Sequence, residues 1–296
     1  MLGIETTMLV IEYVERHLTE RLDLRTIAEA IHISPYHLHR TFSRTVGLTI
    51  HDYLRRRQLT EAAKRLVFSN RPILDIALRA GYDSQQAFTR IFKSMYKCPP
   101  NVFRKNRLFY PLQLRYEFKG EFDGLNATSE DVQWDVAFAE EDDIPRWMDL
   151  VRLVIDGFPF LMEDEYVQVL KQRIGTAEAL IVKDGAIAAG VVLFSYRSGS
   201  IDFLGGHPLY RDRGIMGLLL DKIRCELLKG KREISITTYR EGDKADTGHR
   251  KVIQSLGFAE SELLVEFGYQ TQKFVFLQDS RHADARNRRL AGDKQK

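Results

Sequence analysis

The run His207-Pro-Leu-Tyr-Arg-Asp-Arg-Gly-Ile-Met-Gly-Leu-Leu-Leu220 holds the densest chemistry in this 296-residue sequence. An extended segment ends there, glycines and basic residues make a turn, and an apolar helical run follows to about Leu228. Such a turn presents consecutive backbone N–H groups and a helix N-terminus to an anion, the arrangement that binds a pyrophosphate. A different chemistry is written into the first hundred residues. Two short helical segments in tandem, the second opening on Ser34-Pro35, spell a helix-turn-helix, whose second helix enters a DNA major groove. The pattern then recurs: Ser34/Ser84, Leu38/Phe88, Arg40/Arg90 and Phe42/Phe92 all lie 50 residues apart, which marks an internal duplication.

The elements that must position these residues follow from periodicity and caps. Met8, Ile11, Val14 and Leu18 put an amphipathic helix over Ile4–Leu18. Asp23 caps a short helix carrying Ile27 and Ala28, and a further helix runs from Pro35 to about Val46. Ile50–Phe68 reads as one long helix with Tyr53, Leu54, Leu59, Ala62, Ala63 and Leu66 inward and Arg55, Arg56, Arg57, Lys64 and Arg65 outward. It spans roughly 28 Å, close to the ~34 Å between successive turns of one face of B-DNA, so a single chain can place two recognition helices in neighbouring grooves. Ile73–Ala80 and a Ser84-capped helix to about Tyr96 complete the second unit. Leu108–Phe122 reads as extended linking structure, and Glu121–Asp131 as a turn-rich boundary.

From Gln133 the order becomes strand (Val136–Ala139), helix (Ile144–Ile155), helix (Asp164–Arg173) and strands at Ala179–Val182, Ala188–Tyr196 and Ile201–Leu204. The glycine turn and its helix come next, then strand Ile234–Tyr239, helix Thr247–Ser255 and strands at Leu263–Gln270 and Phe274–Leu277. Asp279–Lys296 reads as a disordered tail. The expected fold class is multidomain: an all-α double helix-turn-helix domain (1–108), a linker (109–132), and an α+β domain with a mixed central sheet (133–278).

Composition sets the outer limits. Hydrophobic residues make up 44% and charged residues 29%, which excludes a disordered, collagen-like or membrane-embedded chain. The net charge of +3 hides an asymmetry: 18 Lys and Arg face 10 Asp and Glu through Leu108, whereas 20 face 28 from Phe109 to Gln278. Only the basic first third suits a polyanion, and the acidic part is expected to stand away from DNA, with a hinge over Phe109–Asp131. Cys98 and Cys225 make neither a disulfide framework nor a metal cluster. The stretch Ala186–Tyr196 is too short for a bilayer span, and Glu5 and Glu12 do not suit a signal peptide, so the expected setting is cytoplasmic, with no membrane and no metal.

Within 4–105, Ile73-Leu-Asp-Ile-Ala77, Ala80-Gly-Tyr-Asp-Ser-Gln-Gln86, Phe88-Thr-Arg-Ile-Phe-Lys93, Pro99-Pro100 and Phe103-Arg104 resemble the DNA-binding domain of AraC/XylS transcription regulators. The resemblance implies base contacts to double-stranded DNA by Tyr36, His39 and Arg40 in the first recognition helix and Gln85, Gln86, Thr89 and Arg90 in the second. His37 sits beside that face and reads equally as a reader or a capping residue. Arg pairs bidentately with guanine and Gln with adenine. RNA polymerase is a further partner if the chain is an activator.

The strand-loop-helix at 204–220 resembles the acetyl-CoA motif of GNAT N-acetyltransferases, Arg/Gln-x-x-Gly-x-Gly/Ala. That resemblance implies acetyl-CoA binding by Leu204, Gly205, Arg211, Arg213, Gly214, Ile215, Met216 and Gly217. Two positions depart from it. Met216 stands where the motif has a small residue, and Ile253 stands where many members carry a general-acid Tyr. Asp202, Tyr239 and His249 are the chemically able substitutes, with an exposed strand carboxylate, a packing residue and a surface His as the alternative readings. Three functions are therefore open: a regulator whose GNAT-like domain senses acyl-CoA or another small molecule, the same regulator fused to a working acetyltransferase with an amine acceptor, or an enzyme whose basic domain is only an anchor. The first is expected, because the DNA-reading pattern is complete while the catalytic pattern has gaps at Met216 and Ile253.

Overall fold

The computed structural model describes residues 2–118, 133–155 and 162–278. The expected tail at 279–296 and the turn-rich stretch from Glu121 to Asp131 lie outside them. The helical part comprises α1 (Leu2–Arg16), α2 (Leu24–Ala30), α3 (Pro35–Val46), α4 (Ile50–Phe68), α5 (Ile73–Arg79), α6 (Gln85–Tyr96) and α7 (Pro100–Asn106). Local chemistry sets the ends. Asp23, Ser34, Thr49 and Ser84 each accept a backbone N–H of the first turn, from Thr26, His37, Asp52 and Ala87, as N-cap side chains do. Gly47 ends α3 at φ 75° and Lys97 ends α6 at φ 64°, so the 50-residue repeat extends to its left-handed C-caps.

Each unit has its own core. Val10, Val14, Ile27, Leu38, Phe42 and Tyr53 fill the first, and Leu59, Leu66, Ile76, Phe88, Phe92 and Phe103 the second. Helix α4 belongs to both and is buried on more than its apolar face, which corrects the outward placing of two of its arginines. Arg56 and Arg57 are 3% and 7% exposed. Arg57 is held by Glu15 of α1 and by the Gln113 carbonyl, while Arg56 donates to the carbonyls of Leu112 and Ala245. Periodicity alone cannot show such partners, because they come from 15, 112–113 and 245.

Residues 109–118 form no regular element, yet Leu112, Gln113 and Tyr116 are buried against the helical units, with Thr60 Oγ1 accepting the backbone N–H groups of Leu112 and Gln113 at 3.0 and 3.2 Å. That part of the expected hinge is therefore fixed. The two halves are also joined directly, because Arg56, Lys97 and Arg211 bind across the boundary.

The second half is a sheet between helices. Its strands are β1 (Val136–Phe138), β2 (Ala179–Asp184), β3 (Ile187–Phe194), β4 (Ser200–Gly206), β5 (Glu233–Tyr239), β6 (Ala259–Glu266) and β7 (Tyr269–Leu277), in spatial order β1-β2-β3-β4-β5-β7-β6. Helices α8 (Ile144–Val154) and α9 (Glu163–Gly175) cover one face through Trp147, Leu150, Val151 and Leu170. The other face packs on Ile215, Leu219 and Leu220 of α10 (Ile215–Lys222) and Ile253 of α11 (His249–Ser255). The helix expected to run to Leu228 changes to a π turn at Ile223–Leu227. The single strand expected over Leu263–Gln270 is the end of β6 and the start of β7, broken where Phe267 and Gly268 both have positive φ, at 54° and 81°, the backbone of a two-residue hairpin turn.

All neighbouring strands are antiparallel except β4 and β5, which pair in parallel only at Ser200–Ser235 and Ile201–Ile236. Beyond those residues β4 continues along β3 to Gly206, and β5 along β7 to Tyr239. The two middle strands thus part, and a cleft opens between them.

Candidate nucleic-acid interface and ligand cleft

The N-terminal ends of α3 and α6 present the residues expected to read DNA. Tyr36 is 75% exposed; His37, His39, Arg40, Gln85, Gln86 and Arg90 are also exposed, and Thr89 is half-buried. Leu38, Phe42, Phe88 and Phe92 point the opposite way into the cores, which is what turns one face of each helix outward. The His37 backbone N–H satisfies the Ser34 cap at 3.3 Å, while its ring lies 3.4 Å from Thr41 Oγ1; its imidazole therefore stays on the open face.

Two spaces that share lining residues lie at and beside the cleft between β4 and β5. One, of about 510 Å³, is lined by Asp202, Phe203, Thr237, Tyr239, His249 and Ile253 together with Tyr166, Glu266 and Tyr269. The other, of about 620 Å³, is lined by Leu204, Gly205, Arg211, Gly214, Ile215, Met216 and Gly217. Seven of the eight residues expected to bind a cofactor thus share one cavity; Arg213 is not among its lining residues. Gly214 is the N-cap of α10 at φ 70°, a left-handed backbone that favours glycine.

Met216 borders both spaces. A Cβ on Gly206 would lie 3.3 Å from Met216 Cγ and 3.4 Å from its sulfur, so the large residue in the turn is accommodated by a missing side chain on β4. That compensation joins positions 206 and 216 and has no signature in the loop pattern itself.

The three candidate proton-transfer residues all line the 510 Å³ space, but they are not equally equipped. Asp202 accepts from Arg173 Nη2 at 2.5 Å and from Ser200 Oγ at 2.7 Å, which engages both carboxylate oxygens. Tyr239 is 8% exposed, and its carbonyl accepts from Arg250 Nη1 at 3.0 Å. His249 is half-buried in the first turn of α11 and reaches both spaces. Ile253 is buried in the sheet core. Burial pushes the neighbouring Tyr166 phenol well above its ordinary value, while the Trp147 Nε1–H donated to it at 3.1 Å opposes that shift; Tyr166 therefore stays neutral.

Two features of the cleft are absent from any sequence pattern. Lys251 of α11 adds a cationic group to the wall of the 620 Å³ cavity, and Val46, Gly47, Leu48, Gln113 and Tyr116 add a wall from the helical half. Beneath the turn, His207 is 3% exposed and accepts the Leu209 N–H on Nδ1 at 3.3 Å. Burial lowers its pKa to about 4, so it is a neutral strut. Among the described residues, no cluster of three or more His, Cys, Asp or Glu has metal-holding geometry.

A profile described as a helix-turn-helix domain matches residues 27–106. The multiple antibiotic resistance protein MarA of Escherichia coli is 36% identical over 109 residues, 35% of this chain and 86% of that one. The HTH-type transcriptional regulator YbfP of Bacillus subtilis is 40% identical over 94 residues, which span 32% of this chain and only 32% of that relative. Among solved structures, an acetyltransferase of the GNAT family from Bacillus cereus aligns with 50% of this chain and 99% of its own, at 18% identity and a TM-score of 0.38.

Proposed function

The chain belongs to the AraC/XylS family of DNA-binding transcription regulators through its N-terminal third, and from that premise we propose that it is a sequence-specific regulator whose second half is a GNAT-like domain binding acyl-CoA. Tyr36, His37, His39 and Arg40 read one major-groove segment, and Gln85, Gln86, Thr89 and Arg90 the next. The observation that carries the ligand half of this reading is the parting of β4 and β5 after two paired positions, with a glycine turn and the start of α10 at its mouth. A cofactor diphosphate fits the backbone amides of Gly214–Gly217, with Arg211 and Lys251 supplying charge, and the pantetheine arm fits between the strands. Binding without turnover is favoured, because Asp202 is engaged by Arg173 and Ile253 offers no proton.

Two measurements on the full chain test this. Selection from a random-sequence duplex pool should yield a bipartite site, and Arg90→Ala should lose about 1–3 kcal/mol and relax preference in one half only. Calorimetry with acetyl-CoA should show binding, and an acyl-transfer assay over a panel of amines should show no CoA release above background. Robust turnover would replace the sensor with an enzyme; absence of binding would remove acyl-CoA altogether.

A further inference from the structure

We infer that the ligand cavity is shared between the two halves, and that a CoA-type diphosphate and the first recognition helix compete for the same side chain, Arg211. This inference rests on the acyl-CoA reading above. The cavity wall facing the glycine turn belongs to the DNA-binding half: Val46, Gly47 and Leu48 at the end of α3, with Gln113 and Tyr116 of the connecting segment. Arg211 reaches across the boundary to that wall. Its Nη2 donates to the Val46 carbonyl at 3.1 Å, and its guanidinium lies so close to Gly47 that a Cβ there would overlap it. A side chain at position 47 would be strained by the left-handed backbone and would have to displace the Arg211 guanidinium.

Last-turn carbonyls lack helical partners and form the negative end of the helix dipole, so Arg211 acts as a cationic C-cap for α3. A diphosphate at Gly214–Gly217 offers the guanidinium a full negative charge instead of a neutral carbonyl, and hydrogen bonds between two ionised groups are the stronger kind. Ligand entry thus draws Arg211 away from Val46.

The second reading unit is gripped at the equivalent point. Lys97, 50 residues after Gly47, forms an ion pair with Asp243, and its ammonium faces the rings of Tyr239 and Tyr269 at 5.6 and 5.7 Å. Arg56, on the helix joining the units, donates to the Ala245 carbonyl of the same loop, which leads into Gly248 at the cavity. Both recognition helices are thus held by their C-caps to the two loops that border the cleft, while their reading ends stay open. Release of the Arg211 grip loosens the C-terminal end of α3, and a bipartite site is then read less tightly.

The test uses the full chain, CoA as the probe, and a labelled duplex recovered by selection, at fixed ionic strength. Calorimetry establishes CoA binding first. Saturating CoA should then weaken duplex binding at least fivefold, within the usual span of allosteric coupling, and saturating duplex should weaken CoA binding by the same factor. Hydrogen exchange over 43–48 should speed up with CoA in the unmodified protein. Arg211→Ala should bind the duplex as weakly as the CoA-bound protein does, and should respond no further to CoA. CoA that binds while duplex affinity and exchange at 43–48 stay constant would overturn the shared site. A CoA response that persists in Arg211→Ala would overturn the competition but leave the sensor standing. If CoA does not bind, the acyl-CoA reading itself falls, and this inference with it.

Discussion

Replacing Glu15 by Gln tests whether the central arginines of α4 hold the DNA-binding half together. Glu15 accepts from Arg57 Nε at 2.7 Å and Nη2 at 2.9 Å, and from the Tyr53 hydroxyl at 2.8 Å. The two side chains are 8% and 11% exposed. Burial by itself would lower the Arg57 pKa, but the hydrogen bonds and charge of Glu15 outweigh it and raise the value. An exposed pair contributes about 0.2–1 kcal/mol, whereas removing one member of a buried pair costs about 3–5 kcal/mol, because the other charge is left behind. Gln keeps the volume and one acceptor, so a loss of about 3 kcal/mol is expected, roughly a hundredfold in the folding equilibrium. Urea unfolding followed by far-ultraviolet circular dichroism measures it, with a lower midpoint at unchanged slope. Fluorescence isolates the other half, since the two tryptophans are Trp134 and Trp147. Arg57→Gln and the double variant close the cycle. A loss below about 1 kcal/mol, or single losses that simply add, would refute the structural role and restore a solvated face.

Two further outcomes follow from the second half. His207 is kept neutral to about pH 4, against an ordinary value of 6.5. The unfolded chain therefore binds the extra proton first, so stability is constant above about pH 6.5 and falls as pH drops toward 4, by a total on the order of 3 kcal/mol; His207→Gln should flatten this slope in tryptophan-monitored unfolding, and an unchanged slope would remove His207 as its source. A Cβ on Gly190 would lie 2.5 Å from Ile215 Cγ2 and 3.2 Å from Leu219 Cδ1. Gly190→Ala should therefore lift α10 from the sheet, cost about 1–3 kcal/mol and weaken the proposed CoA binding, whereas unaltered melting would show that the helix has room to spare.

The reading units were legible because their signals are local. Ser34 and Ser84 cap helices three residues away, and Phe42 and Phe92 repeat a core position that each helix needs for itself. The glycine turn at 214–217 was legible for the same reason. The burial of Arg56 and Arg57 on α4 is not legible in the sequence because the groups that cover them, Glu15, residues 112–113 and Ala245, are remote in the chain, and a charge sequence does not disclose a counter-charge 42 residues back. The hairpin at Phe267-Gly268 was missed because Phe is an unusual occupant of a left-handed turn position, so the apolar pattern ran on through it.

By itself, then, the sequence determined the duplicated helix-turn-helix, its caps and the glycine turn before α10, since each depends on neighbours a few bonds apart. The tertiary structure alone decided that β4 and β5 part after Ile201 and Ile236, that Gly206 makes space for Met216, and that Arg211 turns toward Val46. Those pairings join residues 10 to 165 positions apart. They are selected by which surfaces meet when the two halves pack, and no local periodicity or spacing encodes that choice.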